Sequence, residues 1–472
     1  MTAGPLRILL VSHFFPPSHT AGTENYTLGI ALALGRRGHD VRVVCARTWD
    51  QGPAYWNGVS HDVVHGLPVE RVALNWAKAD DPNHVLYESA LTERWFEEVL
   101  DRTRPDIVHV TSTATLGIGV LRAAHRRGIR LVLTLMDFWF LCPRTILTTG
   151  EGQLCDGRTT AWDCERCLLT SSRFFQRLHP YVPQGIERRL WTQVARQPHL
   201  SRIRGARGWA LDVDDRKAVM RQALEWPDVI LSHSRFVKTM FERSGLCEQG
   251  HRIRHLPNGH DLGWRDTYRG KSASSTIRFA YMGQIVESKG IQVLVEAFQV
   301  ADQERRCRLD IWGDTARDAE YADRLRAACA GASDRIALRG CFRREDLADV
   351  LREIDVLVVP SMWYENAPLV IQEAFAAATP VIATDLGGMR EAVSDGLNGL
   401  LFERGDAGSL AGQLRRIIVE PELLATLRSG VPRVASVDEE AVQLDAIYRD
   451  SKAAGGDEDA KEVVLAARGA GA

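Results

Sequence analysis

The chain has 472 residues, of which 45 % are hydrophobic and 25 % are charged, a composition typical of a soluble globular protein. Domains usually contain about 100–200 residues, so we expect two or three of them. Lys and Arg number 59 against 61 Asp and Glu; this balance excludes the strongly basic character typical of nucleic-acid-binding proteins. No run approaches the roughly 18 apolar residues that a membrane-spanning helix needs.

The N-terminal segment and the cysteines indicate the cellular compartment in which the protein is expected. Residues 7–11 are apolar apart from Arg7, but the run is too short for the apolar region of a secretory signal. We interpret it as a first buried strand and expect a cytoplasmic protein. Nine cysteines, in a chain large enough to form its own core, indicate free thiols or a metal site rather than disulfides.

The first half of the chain alternates strands and helices. The first predicted helix, over residues 24–37, has apolar side chains at helical spacing and ends before Gly38. Strand, helix and strand in succession predict a right-handed crossover and a parallel sheet. The predicted strands cover residues 8–11, 41–44, 106–110, 130–135 and 228–233.

An arginine-rich segment over residues 172–207 interrupts this pattern. It contains eight arginines and one acidic residue, with aromatic residues between them. Two interpretations stay open: a solvated helical insertion, or a surface that docks on anionic lipid or on an anionic acceptor. The arginines are Arg173, Arg177, Arg188, Arg189, Arg196, Arg202, Arg204 and Arg207.

The second half repeats the alternation, with strands predicted at 278–282, 308–312, 336–338, 356–359 and 381–383. The fold class is therefore α/β, with two Rossmann-like doubly wound domains that face each other across a ligand cleft at the carboxyl ends of their strands. We expect an N-terminal domain over 1–265, a C-terminal domain over 277–435, a helix over 436–452 that crosses back, and a disordered tail over 453–472.

The strongest local motif places two carboxylates eight residues apart. Glu365 precedes a helix that we expect to begin at about Pro368, and Glu373 lies in its second turn. The free backbone N–H groups at such a helix start favour an anion. One carboxylate can therefore contact the reacting end of a ligand while the other contacts hydroxyls further along it.

Two glycine-containing loops supply further candidates. Gly283–Gly290 follows a strand and contains Lys289, which suits a phosphate that approaches the backbone. The Gly-Lys-Ser/Thr ending of a P-loop is absent, so a βα turn with a surface lysine stays an alternative. Gly22, after the first strand, lacks the G-x-G-x-x-G pattern of a nicotinamide site.

Together these motifs resemble one family, the retaining glycosyltransferases of the family 4 type, which have the GT-B fold. The resemblance covers roughly residues 5 to 450. It rests on Gly22, residues 38–41, 258–261, 283–290, 365–373, 387–391 and 395–399.

The resemblance implies a role for each matching residue. Lys289 would bind the diphosphate of a nucleotide-sugar donor in the C-terminal domain, and Gly22 would lie near that diphosphate in the N-terminal, acceptor-side domain. Glu373 would hold the ribose. No metal would be required for the transfer step. The remaining donor-binding residues implied are Gly283, Gln284, Glu365, Asn366, Ala367, Pro368 and Leu369.

Two positions depart from the family pattern. Gln284 stands where relatives usually have Arg, which leaves Lys289 with more of the diphosphate charge. Met136 stands where a His normally precedes Asp137. Asp137 and His109 are then the candidate catalytic residues on the acceptor side, beside Glu365 and Lys289, although His109 could equally be a hydrogen-bonded histidine at the end of a strand.

The loop over 142–167 holds four cysteines: Cys142, Cys155, Cys164 and Cys167. The last two form a C-x2-C pair, which is half of a zinc knuckle, and relatives with the same Trp-Phe-Leu-Cys-Pro segment often carry similar cysteines. A structural zinc and free or redox-active thiols are both open.

Three functions fit these observations. The chain is predicted to transfer a sugar from a nucleoside-diphosphate sugar with retention of anomeric configuration. The acceptor would be a glycan, a lipid-linked acceptor or a small molecule. If the arginine-rich segment binds lipid, the reaction would take place at the inner membrane face. The alternatives are a sugar-nucleotide epimerase of GT-B-like fold and a non-catalytic protein that binds nucleotide sugars or glycans.

Overall fold

The computed structural model describes residues 4–170, 177, 181–195, 209–247, 253–301, 307–332 and 334–450. The chain divides into two compact units: the first comprises the residues up to Pro257 together with those from Asp438 onward, and the second is Asn258–Val437. The boundary falls earlier than the predicted 265, because residues 258–265 pack on the second unit: the His260 N–H donates to the Ala435 carbonyl at 3.0 Å, and Trp264 lies in a hydrophobic cluster of that unit. The predicted tail over 453–472 lies outside the described residues.

The first unit contains an eight-stranded sheet in the described part of the chain, with the order β3-β4-β2-β1-β5-β6-β7-β8. The paired strands run parallel except for the antiparallel hairpin β3–β4. Their bounds are β1 (Arg7–Val11), β2 (Asp40–Thr48), β3 (Trp56–Val64), β4 (Leu67–Leu74), β5 (Ile107–Val110), β6 (Arg130–Leu135), β7 (Val229–Ser232) and β8 (Ile253–His255).

The helices of the first unit follow from their caps and apolar faces. In α1, Tyr26, Ile30 and Leu34 are buried, as the helical spacing predicts. The helix α2 begins after Ser89, whose side chain accepts from the Thr92 N–H. The bounds are α1 (Gly22–Arg36), α2 (Ala90–Thr103), α3 (Gly119–Arg126), α4 (Ala161–Leu169), α5 (Gln184–Ala195), α6 (Trp209–Ala223) and α7 (Arg235–Arg243).

The second unit contains a parallel sheet with the order β11-β10-β9-β12-β13-β14. Alternate residues of β9 lie in two different hydrophobic clusters, Phe279 in one and Ala280 in the other, as strand geometry requires. Its elements are β9 (Ile277–Met282), α8 (Ile291–Ala301), β10 (Cys307–Trp312), α9 (Ala319–Cys329), β11 (Ile336–Gly340), α10 (Leu347–Arg352), β12 (Val356–Val359), α11 (Leu369–Ala376), β13 (Val381–Thr384), α12 (Gly387–Ala392), β14 (Gly399–Phe402), α13 (Ala407–Val419) and α14 (Pro421–Ser429).

All ten predicted strands are confirmed, with small changes at their ends. The strands β3, β4, β8 and β14 were not predicted. In β3 most residues are exposed or half-buried, so this edge strand lacks the apolar run by which the buried strands were recognised. No helix in the described ranges is long and apolar enough to cross a membrane.

A last helix, α15 (Val437–Arg449), packs on the first unit through its residues from Asp438 onward. The Tyr26 hydroxyl donates to Glu440 Oε1 at 2.7 Å, in a buried contact. On the surface, Arg36 pairs with Asp438 at 2.7 Å and Arg37 with Asp445 at 2.8 Å. Ionic contacts at the rim and a buried hydrogen bond therefore hold α15 against α1.

Tyr448 extends this packing into the sheet. Its hydroxyl lies 2.7 Å from His109 Nδ1, and the Thr134 hydroxyl of β6 lies 2.7 Å from His109 Nε2. The His109 side chain is fully buried, and burial lowers its pKa to about 3. His109 is therefore a neutral residue with both ring nitrogens hydrogen-bonded.

This burial makes the stability of the first unit sensitive to acid. Histidine in the unfolded chain binds a proton below about pH 6.5, whereas native His109 stays neutral down to about pH 3. The contribution of His109 to the free energy of unfolding is therefore fully present above pH 6.5 and is lost as the pH falls below that value. We expect His109→Gln to reduce the slope of unfolding free energy against pH, between pH 6 and 4, by about 1.4 kcal/mol per pH unit.

Denaturant unfolding at several pH values measures this slope. His61→Gln is the matched control, because the His61 side chain is 69 % exposed and its replacement should leave the slope unchanged. Equal slopes for the wild type and His109→Gln would show that His109 is protonated in the native state.

Candidate active site

The candidate site of the second unit lies at the carboxyl ends of β9, β12 and β13. The strand order reverses between β9 and β12, because β10 lies on one side of β9 and β12 on the other. Ligands of open α/β sheets bind at such a reversal. The loops that leave these strands carry the predicted donor-binding residues.

The loop after β9 lies close to the loop after β12. Gly290 has φ +70°, and a Cβ at this position would lie 2.0 Å from the carbonyl oxygen of Pro360. The Met362 N–H donates to the Ser288 carbonyl at 2.9 Å and joins the same two loops. Only glycine fits this contact, and the close approach places Lys289 beside the second loop.

Lys289 and Glu365 form an ion pair, with Nζ 2.6 Å from Oε1. The same oxygen accepts from the Ser361 hydroxyl and from Trp363 Nε1, each at 2.7 Å. The Lys289 ammonium also lies 4.9 Å from the centre of the Trp363 ring, within the range of a cation–π contact. The two charged side chains are 18 % and 16 % exposed.

The electrostatics of this cluster keep Glu365 ionised. Burial by itself raises the pKa of Glu365, but the charge of Lys289 and the three hydrogen bonds outweigh burial, so the pKa lies below its usual value. The cluster therefore combines a cation and an anion whose positions are set by several contacts.

The segment that follows Glu365 packs tightly on α12. The Gly388 N–H donates to the Glu365 carbonyl at 2.9 Å, and a Cβ on Gly388 would lie 1.6 Å from the Asn366 carbonyl oxygen. Ala367 and Pro368 are half-buried. The helix α11 begins at Leu369, directly after Pro368, which confirms the predicted helix start.

Glu373 lies in α11 and forms an ion pair with Arg344, which sequence reasoning did not single out. Arg344 also donates to the Asp261 carbonyl at 3.4 Å. The Glu373 side chain is 14 % exposed. The predicted ribose-binding carboxylate is therefore already held by an arginine from a short turn before α10.

Gly283 and Gln284 occupy the start of the loop after β9. The Gly283 N–H donates to the Trp312 carbonyl at 3.0 Å, and the Tyr281 hydroxyl donates to the Gln284 carbonyl at 2.7 Å. Sequence reasoning also missed Trp363, Ser361 and Tyr281. Trp363 and Ser361 could have been found from the sequence, because each carries a hydrogen-bond donor within four residues of Glu365.

The remaining predicted residues lie in the first unit. Gly22 is the exposed first residue of α1. Asp137 follows β6 and accepts from the Trp139 N–H at 2.8 Å, and burial raises its pKa. The catalytic role predicted for His109 does not agree with its surroundings, because both of its ring nitrogens are engaged inside the sheet.

The four loop cysteines gather around α4, which carries Cys164 and Cys167. Burial raises the pKa of Cys155 and of Cys167, and the charges of Cys142 and Cys164 add to this effect. Within the ranges that the structure describes, no group of three or more His, Cys, Asp or Glu residues is arranged to hold a metal ion. The zinc site stays a prediction.

The contact between Gly388 and Asn366 yields a test of the site's framework. We expect Gly388→Ala to destabilise the second unit by roughly 1–3 kcal/mol, because the added methyl group meets backbone rather than a movable side chain. Gly412→Ala is the control: Gly412 lies in α13 with nothing within 4 Å of a Cβ, so it should gain about 0.5–1 kcal/mol. Thermal unfolding compares the two, and equal stabilities would contradict the close contact.

Two family models match the chain. The model described as "Glycosyl transferases group 1" matches residues 276–420, and the model described as "Glycosyl transferase 4-like domain" matches residues 21–175. The first lies within the second unit and contains the Lys289–Glu365 cluster. The second lies within the first unit and contains Gly22, His109 and Asp137.

Two curated relatives carry the name D-inositol 3-phosphate glycosyltransferase. The protein from Frankia alni is 31 % identical over 244 residues, which cover 47 % of this chain and 59 % of the relative. The protein from Streptomyces bingchenggensis is 35 % identical over 158 residues, 32 % of this chain and 34 % of the relative. The chain thus matches between one third and three fifths of the length of these relatives.

Solved structures are similar over nearly the whole chain. The sucrose-phosphate synthase of Thermosynechococcus elongatus has a TM-score of 0.64 at 19 % identity and covers 95 % of this chain and 100 % of its own. Anabaena Alr3699/HepE, solved in complex with UDP, has a TM-score of 0.61 at 16 % identity and covers 94 % and 99 %. The fold is GT-B, and the chain belongs to the glycosyltransferases of the family 4 type.

Proposed function

We propose that the protein transfers a sugar from a nucleoside-diphosphate sugar to an acceptor hydroxyl, with retention of anomeric configuration. The observation that carries this proposal is the cluster of Lys289, Glu365 and Trp363 at the strand-order reversal of the second unit. The family models support a transferase. Because Anabaena Alr3699/HepE was solved with UDP and with UDP-glucose, uridine nucleotides are the first donors to test.

Lys289 stabilises the leaving nucleoside diphosphate. Negative charge develops on the phosphate oxygens as the bond to the sugar breaks, and a cation whose position is already set stabilises that charge. An ammonium has three N–H donors, so Lys289 can keep Glu365 and still donate to a phosphate. The free N–H groups at the start of α11 add to the same stabilisation.

Glu365 and the backbone from Asn366 to Leu369 hold the transferred sugar in this proposal. The ionised carboxylate accepts hydrogen bonds from sugar hydroxyls, and its orientation is set by Ser361 and Trp363. Glu373 holds the ribose, and Arg344 orients that carboxylate. The acceptor oxygen forms its bond to the anomeric carbon on the same face from which the nucleoside diphosphate departs, as the bond between that carbon and the phosphate oxygen breaks. The leaving phosphate takes the acceptor proton, so retention needs no protein nucleophile.

Replacement of the two carboxylates should separate donor binding from turnover. We expect Glu373→Ala to weaken UDP binding about tenfold, about 1.4 kcal/mol, because ribose contacts are equal in the ground and transition states. Glu365→Ala should mainly lower kcat, by about 100-fold. Lys289→Ala should lower both, and Gln284→Arg should partly restore the loss. Calorimetry with UDP and initial-rate kinetics measure these effects.

Glu296→Gln is the control, because Glu296 is exposed on α8. Wild-type affinity and turnover in Glu365→Ala, Glu373→Ala and Lys289→Ala together would contradict the assignment of the site. Turnover of the nucleotide sugar into a second nucleotide sugar without any acceptor would identify an epimerase instead. Nucleotide-sugar binding without any turnover would identify a non-catalytic binding protein.

The exposed face of α5 supports a peripheral membrane contact. Ile186 is 58 % exposed and Leu190 is 42 % exposed, and residues four apart share one face of a helix. Arg188 and Arg189 are exposed on the same helix. Of the arginine-rich segment, only Arg177 and residues 181–195 lie within the described ranges. A helix that exposes both apolar and cationic side chains suits the headgroup region of an anionic leaflet. The cytoplasmic location stays part of this proposal.

Vesicle binding tests this surface. We expect the double variant Arg188→Glu/Arg189→Glu to bind anionic vesicles at least about tenfold more weakly, because each basic residue near the surface contributes about 1 kcal/mol. Arg47→Glu/Arg94→Glu makes the same charge change at exposed positions of the first unit and should bind like the wild type. Equal sedimentation with neutral and anionic vesicles would contradict the contact.

A further inference from the structure

A pocket of about 350 Å³ lies among the helices of the first unit. Its lining comes from the residue before Ser89, from α3, from the end of α6 and from the segment that joins α6 to β7. Pockets of this size commonly hold small molecules. Neither Gly22 nor Asp137, the residues predicted for the acceptor side, lines this pocket. The pocket is therefore separate from the candidate site at the strand ends.

Trp226 and Val219 form the apolar wall of the pocket, and both are half-buried. The Arg122 guanidinium carbon lies 5.5 Å from the centre of the Trp226 ring, and the His125 ring stacks on the indole with centroids 6.3 Å apart. Arg122 and His125 are three residues apart on α3 and share one face of that helix. The orientation of Trp226 is therefore set by α3, while part of the indole stays exposed to the pocket.

Arg122 supplies a polar wall whose geometry is fixed. It forms ion pairs with Glu88 and with Glu93, the second at 3.0 Å, and all three side chains are half-buried. A guanidinium has five N–H donors, and the two hydrogen bonds to the glutamates use one each. Within the described part of the chain, three N–H groups of Arg122 therefore remain for a ligand. The exposed Gln222 amide adds a donor and an acceptor to the same pocket.

The charges around the pocket are balanced. Arg126, at its rim, pairs with Glu93 at 3.2 Å, so the two arginines are matched by Glu88 and Glu93. A phosphate or another anion would meet the Glu88 carboxylate in the pocket and would have to displace a glutamate from an arginine. The pocket therefore favours an uncharged ligand that forms hydrogen bonds.

We infer that this pocket binds one ring of a neutral sugar and is a second carbohydrate site, separate from the site of transfer. A pyranose ring has an apolar C–H face and a rim of hydroxyl groups that both donate and accept hydrogen bonds. Trp226 and Val219 suit the apolar face, and Arg122, Glu88 and Gln222 suit the hydroxyl groups. A wholly apolar ligand would bury the guanidinium without new hydrogen bonds, which is unfavourable. The site goes beyond the proposed function, because binding there needs no transfer.

Ligand-observed NMR on the full chain tests the site, with the methyl glycosides of glucose, galactose, mannose and N-acetylglucosamine as probes. We expect at least one glycoside to bind with a Kd in the millimolar range. Trp226→Ala should weaken that binding at least fivefold and Gln222→Ala at least twofold, whereas Trp226→Phe keeps an aromatic surface and should stay within threefold of the wild type. Glu365→Ala should keep the binding, which separates this pocket from the sugar position of the donor site.

Trp49→Ala is the matched control, because Trp49 is also a half-buried tryptophan of the first unit but does not line the pocket. Failure of all four glycosides to bind at about 20 mM overturns the inference, and so does equal binding by the wild type, Trp226→Ala and Gln222→Ala. Tighter binding of glucose 1-phosphate than of methyl glucoside, lost in Arg126→Gln, would identify an anion site instead. Glycoside binding without any binding of UDP-glucose would contradict the proposed function alone.

Discussion

The close approach of two backbone loops in the second unit is the constraint on which its site depends. Gly290 lies against the carbonyl of Pro360 at a distance that no Cβ could share. Because of that contact, Lys289 reaches Glu365 at 2.6 Å, although the two residues are 76 positions apart in the sequence. Gly388 allows a similar close approach on the other side of the segment that follows Glu365, where it packs against the carbonyl of Asn366.

The Lys289–Glu365 pair illustrates how a half-buried ion pair is kept. Removing two charges from water is unfavourable, and the attraction between them compensates only when further hydrogen bonds satisfy the remaining polar atoms. Ser361 and Trp363 supply those bonds to Glu365, and the Trp363 ring contacts the ammonium. The result is a charged pair with little freedom to move, which is the condition for stabilising a charge that develops during a reaction.

Histidines of the first unit show why residue type alone does not define a role. His109 has partners on both ring nitrogens, from β6 and α15, and stays neutral inside the sheet. His13 has a partner on one nitrogen only within the described residues. The difference in hydrogen bonding follows from where each histidine lies. His109 is in β5, between Thr134 of β6 and Tyr448 of α15. His13 lies in the loop after β1, where the strand order reverses.

The sequence by itself determined the α/β class, ten strands and the start of α11, because apolar periodicity and helix-start chemistry are local properties. The donor-binding roles of Lys289 and Glu365 rest on the family resemblance and stay predictions. It did not predict the largely exposed edge strand β3 or its neighbour β4, and it did not predict the contact of Arg344 with Glu373. Only the tertiary structure decided which side chains meet: Arg344 with Glu373, Trp363 with Lys289, and Tyr448 with His109. These contacts join residues from separate elements, and their distances depend on how strands and helices pack, which no local pattern records.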